Sequence, residues 1–551
     1  MTTALLIKPT NSGFDRKHVH VNFEPLGLMY LSAFIKKFSS HTVTLVDAQA
    51  QIPSVRQLPD HRFRMGMGDQ ELAALVADVR PDVVGISCLF ERLGDDVFNI
   101  ARVVKEVSPN TLVVVGGMDA STRHDEYLAN DAVDLVVVGS GEETFLEILD
   151  VVSRGERPNG IAGTAERVRR VGNIIPIAGT QTSDGVSDGR DWTVRVNPTR
   201  KMQVAFDEYP YPDRDALPRS LYDNRSNQRV SYPFAREYPA ILIQSSRGCG
   251  LRCTFCEIIS VFKVWQAHGA AYVVGEIEEC VRKYGAREFI FLDDNFMLNP
   301  KRVDEICALI VERGLQISID ILPGVAVWTL SPRIIDRMIE AGLYRVCLPV
   351  ESGNPKTLEF IRKPVNLEKT MEMIEYCNRQ GLLTHANLII GFPDEDLEDI
   401  ERTIAWGRQS GLDAINFFVA QPVKGAKMYD IYERNGWLND HETATRADHA
   451  WRPNAAWRTA RFTSDELARM ADEASSAYLL RRLPFLLKPV NVRKYLWPKI
   501  NSLSKLQHVL RVTRYTLFQG RKISSDQKLF RPGVLARRFG RLVASGGRAN
   551  L

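Results

Sequence analysis

Residues 246–256 read Ser246-Arg247-Gly248-Cys249-Gly250-Leu251-Arg252-Cys253-Thr254-Phe255-Cys256, directly after a strand candidate at 240–245. Three thiols spaced four and three residues apart on one loop can converge on a single centre. Soft thiolates select zinc or an iron–sulfur cluster. A structural zinc site takes four protein ligands, and the nearest further candidates, His268 and Cys280, stand off the usual spacing. Three cysteines suit a [4Fe–4S] cluster with one iron left open, and an open iron implies chemistry at the metal rather than electron carriage alone. The other five cysteines (Cys88, Cys280, Cys307, Cys347 and Cys377) sit singly among apolar neighbours. They read as small core residues of a protein kept in a reducing compartment.

Outward from this loop, β-branched runs alternate with amphipathic stretches. Strands are predicted at 240–245, 288–292, 316–321, 344–350, 385–390 and 414–419, and helices near 268–284, 301–313, 332–341, 367–380 and 395–409. Six strands with five crossovers predict a partial (β/α)6 barrel, two units short of a closed eightfold one, with its chemistry at the carboxyl ends of the strands. A second alternation precedes it. Strands at 4–8, 42–47, 82–87, 111–116 and 133–139 lie between helices near 26–38, 69–79, 95–107, 123–129 and 142–153. Five such units predict a doubly wound, Rossmann-like sheet. Small residues follow its strands: Ser87, Gly116-Gly117 and Gly139-Ser140-Gly141. Ligands of such sheets bind at those ends, where small residues let a large flat ligand approach the backbone. The Gly-x-Gly-x-x-Gly fingerprint of a nicotinamide site is missing after the first strand, which continues Pro9-Thr10-Asn11-Ser12-Gly13-Phe14.

Four regions are expected: 1–153, the Rossmann-like sheet; 154–238, a Gly-, Pro- and Asp-rich connector with a few short strands; 239–430, the partial barrel; and 431–551, a mostly helical region. In the last, 464–482 reads as one helix capped by Ser464 with Glu466 nearby. The net charge of the 551 residues is +4, yet 481–551 hold 17 Lys and Arg against one acidic residue, Asp526. That basic tail, with a short amphipathic stretch at 535–543, is either a solvated helical face covering the barrel or a surface for an acidic carrier protein or anionic membrane; no nucleic-acid partner is expected. No apolar run approaches the roughly 18 residues of a spanning helix, and the amino terminus lacks the basic lead of a signal peptide, which predicts a cytoplasmic protein.

The cysteine loop resembles the signature of the radical S-adenosylmethionine (SAM) superfamily: Cys249, Cys253, Phe255 and Cys256 match Cys-x-x-x-Cys-x-aromatic-Cys position by position. The resemblance continues along the barrel rim. Asp293-Asp294-Asn295 stands where relatives carry a short acidic motif near the SAM amino group. Glu351-Ser352-Gly353 resembles the turn beside the SAM ribose. The segment 389–394, with Gly391, resembles the one that packs on adenine, although Asn387 and Asp394 depart from the commoner Gly and Glu. The amino-terminal sheet is similar to the cobalamin-binding domain that precedes many such barrels, through 82–87, Gly116, Gly117, Gly139, Gly141 and Glu142. The Asp-x-His-x-x-Gly loop whose His ligates cobalt is missing, and His18 and His20 lack its spacing.

The resemblance therefore implies a cobalamin-dependent (class B) radical SAM methyltransferase holding a [4Fe–4S] cluster, SAM and cobalamin. Two SAM molecules would serve each turnover, one as methyl source to the corrin and one as source of a 5′-deoxyadenosyl radical. The methyl would pass through cobalamin to an unactivated carbon of a specialised metabolite, such as a heteroaromatic antibiotic precursor, free or bound to a carrier. An external donor of flavodoxin or ferredoxin type would supply the electron. Two alternatives stand beside it: a non-methylating B12 radical SAM enzyme, such as a cyclase or ring-rearranging oxidase, and a corrin or iron–sulfur sensor without turnover. A methylthiotransferase is disfavoured, since Cys88 stands alone where that family has an extra cysteine triad.

Overall fold

Valine- and isoleucine-rich runs that read as nearly unbroken apolar strands require helices on both faces, and both halves of the chain are built that way. The computed structural model describes residues 1–13, 22–52, 54–169, 181–183, 191–222, 235–438 and 457–512. The chain divides into one compact unit, Met1–Lys499, and a second, Ile500–Leu551.

In the amino-terminal half, strand Thr3–Lys8 is central. It pairs in parallel with Thr42–Asp47 on one side and Val83–Ser87 on the other, and Leu112–Gly116 and Leu135–Val137 continue the sheet. The spatial order 2-1-3-4-5 places a topological switch point between the first and third strands, where ligands of such sheets bind. The sheet then runs on into antiparallel strands Thr164–Arg169, Trp192–Val196 and Gln181–Ser183, so the strands expected of the connector belong to this sheet. Helices Leu26–Phe38, Asp69–Val79, Gly94–Val107 and Glu142–Ser153 lie where periodicity placed them. The predicted helix near 123–129 is instead two short helices, Met118–Thr122 and His124–Leu128, broken at Arg123. A small antiparallel sheet of Asn11–Gly13, Val55–Gln57 and Phe63–Met65 was not predicted. Its strands are three residues each, too short to show an alternation.

The barrel strands are Ala240–Ile243, Glu288–Phe291, Ser318–Ile321, Arg345–Glu351, Leu383–Ile390 and Ala414–Val419. They form two parallel three-stranded sheets joined by a single bridge, Ile319 to Leu343. The open edge after the sixth strand is covered by helix Ser464–Leu486, through Phe417 N–H to Ser475 Oγ (3.2 Å) and Tyr478 O–H to the Leu412 carbonyl (2.5 Å). Covering an edge removes its unpaired ladder groups from water. That helix is capped one residue earlier than expected: Thr463 Oγ1 accepts from Glu466 N–H, and Glu466 accepts in return from Thr463 N–H, a reciprocal capping box. Ser464 is its first residue, and its buried hydroxyl finds no partner.

Helix Leu26–Phe38 joins the two halves. It is apolar nearly all round because it is buried on both sides. Leu28, Met29 and Ile35 face the amino-terminal sheet, while Leu26 and Tyr30 pack with Leu242 and Ile290 of the barrel. The connector staples the same seam. Buried Arg214 pairs with Glu276 at 2.7 Å and donates to the Leu242 carbonyl.

Candidate functional site: the cysteine loop and the facing sheet ends

The cysteine loop is an excursion pinned at its base. Ser246–Arg247 pairs antiparallel with Gln266–Ala267, so 248–265 leave and return at one point of the barrel rim. Gly248 and Gly250 flank Cys249 at φ 78° and 77°, a left-handed backbone that favours glycine. Further along, Thr254 N–H donates to the Ile361 carbonyl and its own carbonyl accepts from Met428 N–H. These bonds tie the middle of the loop to the segments after the fourth and sixth strands. Cys256 N–H turns back onto the Cys253 carbonyl at 3.2 Å. Burial raises the Cys253 thiol, and it pushes that of Cys256 up to about 12, with Cys253 and Cys249 adding to the effect. Buried thiols that resist ionisation alone are donors a cationic iron–sulfur core stabilises as thiolates. Among the described residues, no group of three or more His, Cys, Asp and Glu side chains is arranged as a metal-holding set. The fit of this trio to a cluster therefore rests on donor type, spacing and neighbourhood.

The rim residues close around the loop. Asp293 is fully buried, and its carboxylate is used within the rim: it accepts from Ser245 N–H (3.1 Å), Ser245 Oγ (2.7 Å) and Ser246 Oγ. Asp294 accepts from Gly248 N–H at 2.9 Å, and burial pushes its carboxyl up to about 6. Asn295 donates to the Cys249 carbonyl at 3.1 Å, with its amide 3.6 Å from Cys249 Sγ. Glu351, at φ 67°, pairs with the nearly buried Lys363 at 2.9 Å. Burial works against the charge on Lys363, but Glu351 and nearby Cys253 hold its pKa above the ordinary value. Ser352 Oγ meets Thr403 Oγ1 at 2.9 Å, Phe255 packs tilted against Phe392, and Gly391 donates its N–H to Glu395. Lys363 and Glu395 were not singled out from sequence. Glu395 answers the departure at Asp394: the carboxylate that folds back on the Gly391 turn stands one position later.

On the facing sheet, Gly117 has φ 108°, and a Cβ there would fall inside contact distance of the Cys88 carbonyl. Cys88 N–H donates to the Gly116 carbonyl, and Gly139 N–H donates to Ser121 Oγ. Beneath them Tyr127 O–H donates to Asp119 (2.6 Å) and lies 3.0 Å from Cys88 Sγ. Three features fit a large flat amide-bearing ligand at these strand ends. A Cβ built on Gly139 meets nothing within 4 Å. Leu89 and Phe90 after strand Val83–Ser87 are left exposed. Glu142 Oε2 is buried without a partner, an acceptor whose desolvation is offset when a ligand amide donates to it. Ser87 and Gly141 complete this edge. His18 and His20 lie outside the described residues.

The two edges are joined directly. Arg247, two residues before Cys249, donates to Glu142 Oε1 at 2.6 Å, and its guanidinium lies over the rings of Tyr30 and Phe206. Lys424, after the sixth barrel strand, pairs with Asp125 and Glu126 of the sheet's short helix. Near the second pair Glu91 and Glu257 are each pushed up to about 7, by burial first and then, for Glu257, by Asp119 and Glu91. The elements that follow the carboxyl ends of both sheets therefore meet at one junction.

Comparison with known proteins agrees with this arrangement. The profile of the radical SAM superfamily matches residues 243–407, and that of the B12 binding domain matches 16–149. The chain is 28% identical over 494 residues to an uncharacterized methyltransferase, PH0819, of Pyrococcus horikoshii, spanning 87% of this chain and 93% of that one. It is 26% identical over 457 residues to cytidylyl-2-hydroxyethylphosphonate methyltransferase of Streptomyces wedmorensis, spanning 80% and 84%. The fold is shared with TsrM of Kitasatospora setae, a radical SAM methyltransferase solved with cobalamin and a [4Fe–4S] cluster bound, at TM-score 0.62 and 16% identity over 90% of each chain. Residues 16–149 are thus a B12 binding domain and residues 243–407 a radical SAM domain, and in that order and along most of its length the chain is similar to radical SAM methyltransferases that bind cobalamin.

Proposed function

We propose that the protein methylates an unactivated carbon of a specialised-metabolite substrate, heteroaromatic or otherwise related to antibiotic synthesis, with cobalamin carrying the methyl group from SAM. The observation that carries this reading is the Arg247–Glu142 pair. It ties the residue two before the first cluster cysteine to the helix that follows the Gly139–Gly141 turn. A methyl transfer coupled to a radical needs both cofactors to face one substrate, and a buried ion pair between their loops holds that distance. When bound, the cluster supplies the electron that cleaves SAM and the corrin supplies the methyl-carrying centre. The chain's own part is to position and to exclude water. Lys363 and Glu351 place a compensated ion pair beside the cysteine loop. Phe255 and Phe392 wall its inner side. The methyltransferase of Streptomyces wedmorensis, whose name gives it a small nucleotide-linked substrate, supports a small-molecule acceptor here. The electron donor is proposed to be a flavodoxin or ferredoxin.

The test is anaerobic reconstitution with iron, sulfide, cobalamin, a strong reductant, methyl-labelled SAM and candidate heteroaromatic acceptors, following 5′-deoxyadenosine, S-adenosylhomocysteine and label in the acceptor together. A methyltransferase of this kind forms both products and labels the acceptor. 5′-Deoxyadenosine alone would assign the non-methylating chemistry, and neither product would leave a sensor.

A further inference from the structure

Large apolar side chains exposed to solvent are scattered singly over most proteins; a concentration of them marks an interaction surface. Among the described residues fourteen such side chains are exposed, and six of them (Leu487, Val490, Trp497, Leu503, Leu506 and Leu510) fall within 487–510, with exposures between 37% and 72%. The same stretch contains no acidic residue. Lys488 and Arg493 stand near the first three in sequence, Lys494 pairs with Glu375 at 2.7 Å, and Lys505 and Arg511 stand among the last three. In the second unit, 503–512 is helical, and Leu503, Leu506 and Leu510 follow at i, i+3 and i+7, the spacing of one helix face. That face points outward: the buried side chain of this helix is His508. From 481 to the end, basic residues exceed acidic ones by 16.

Two properties together identify the occupant. Nucleic acid and acidic proteins attract cations, but neither needs a stripe of exposed leucines. A second apolar protein surface needs no uniform positive charge. An anionic bilayer takes both: leucine and tryptophan enter the acyl boundary while lysine and arginine meet the headgroups. We propose that helix 503–512 docks this enzyme on an anionic membrane surface, in the manner of an interfacial helix. No helix of the described residues is long and apolar enough to cross a membrane.

The test is cosedimentation of the full-length reconstituted enzyme with vesicles of phosphatidylglycerol and phosphatidylcholine against vesicles of phosphatidylcholine alone. Binding is expected to the anionic vesicles and to fall steeply at high salt. In the triple variant Leu503→Ser, Leu506→Ser, Leu510→Ser it should fall at least about tenfold. These side chains are exposed and remote in sequence from the cysteine loop, so 5′-deoxyadenosine formation by the variant should match the parent and report an intact fold. Absence of binding to anionic vesicles would overturn the proposal. So would binding that the triple variant retains in full. Capture of RNA or of an acidic carrier protein with the same affinity by parent and variant, without vesicle binding, would overturn it in favour of a purely electrostatic partner.

Discussion

Cys253 carries the sharpest expectation at the scale of single residues. It is the most buried of the three loop cysteines and lies between the other two in sequence. Burial, first among the causes, raises its thiol, an effect that an electropositive centre would offset. In Cys253→Ala the visible absorbance of the reconstituted cluster and all SAM cleavage should be lost, while folding is kept; full 5′-deoxyadenosine formation by that variant would refute the cluster assignment. The structure also redistributes roles among the acidic rim residues. Asp293 spends its carboxylate on two serines and a backbone amide, so its part is to lock the ends of the first two barrel strands together. Glu351 is held by Lys363. A string of acidic residues after strands reads the same in sequence whether they face a ligand or each other's loops. Only the tertiary fold separates the cases.

At the scale of elements, the turn at Gly117 is the most sensitive point of the cobalamin sheet. Its φ of 108° is strained for any L side chain, and an added methyl would strike the Cys88 carbonyl, a backbone atom that cannot swing away. Gly117→Ala should destabilise the amino-terminal half by about 2–3 kcal/mol. Cobalamin retention should fall with it, measured as bound corrin after desalting alongside the thermal midpoint. Gly139 is the control. Its φ is also positive, at 85°, but no atom crowds it. Gly139→Ala should therefore cost less in stability, with any loss of corrin reporting the ligand's approach to the backbone. Element positions themselves were legible to within a few residues wherever periodicity was strong: helix Leu26–Phe38 and strand Thr42–Asp47 match their predicted bounds. The three-residue strands of the small sheet and the break at Arg123 were not, because so few residues show no period.

At the scale of the whole molecule, a buried ion pair joins the two halves alongside apolar packing. Arg247→Met would leave Glu142 buried with neither oxygen paired, which typically costs about 3–5 kcal/mol. The double variant Arg247→Met, Glu142→Gln should recover a large part of that loss, because no uncompensated charge remains. Denaturant unfolding of the four proteins of that cycle measures the coupling, and additive single effects would show that the pair does not join the halves. Taken alone, the sequence determined the two alternating halves, the trio of thiols and its chemistry, and the glycines at the strand ends. These are local matters, settled by residue type, spacing and period along the chain. The tertiary structure decided that Arg247 reaches Glu142, 105 residues away, that Glu351 finds Lys363, that Glu395 rather than Asp394 closes the Gly391 turn, and that the stripe at 503–510 faces solvent. Each depends on which atoms folding brings together across long stretches of chain, and no period or spacing in one dimension records that.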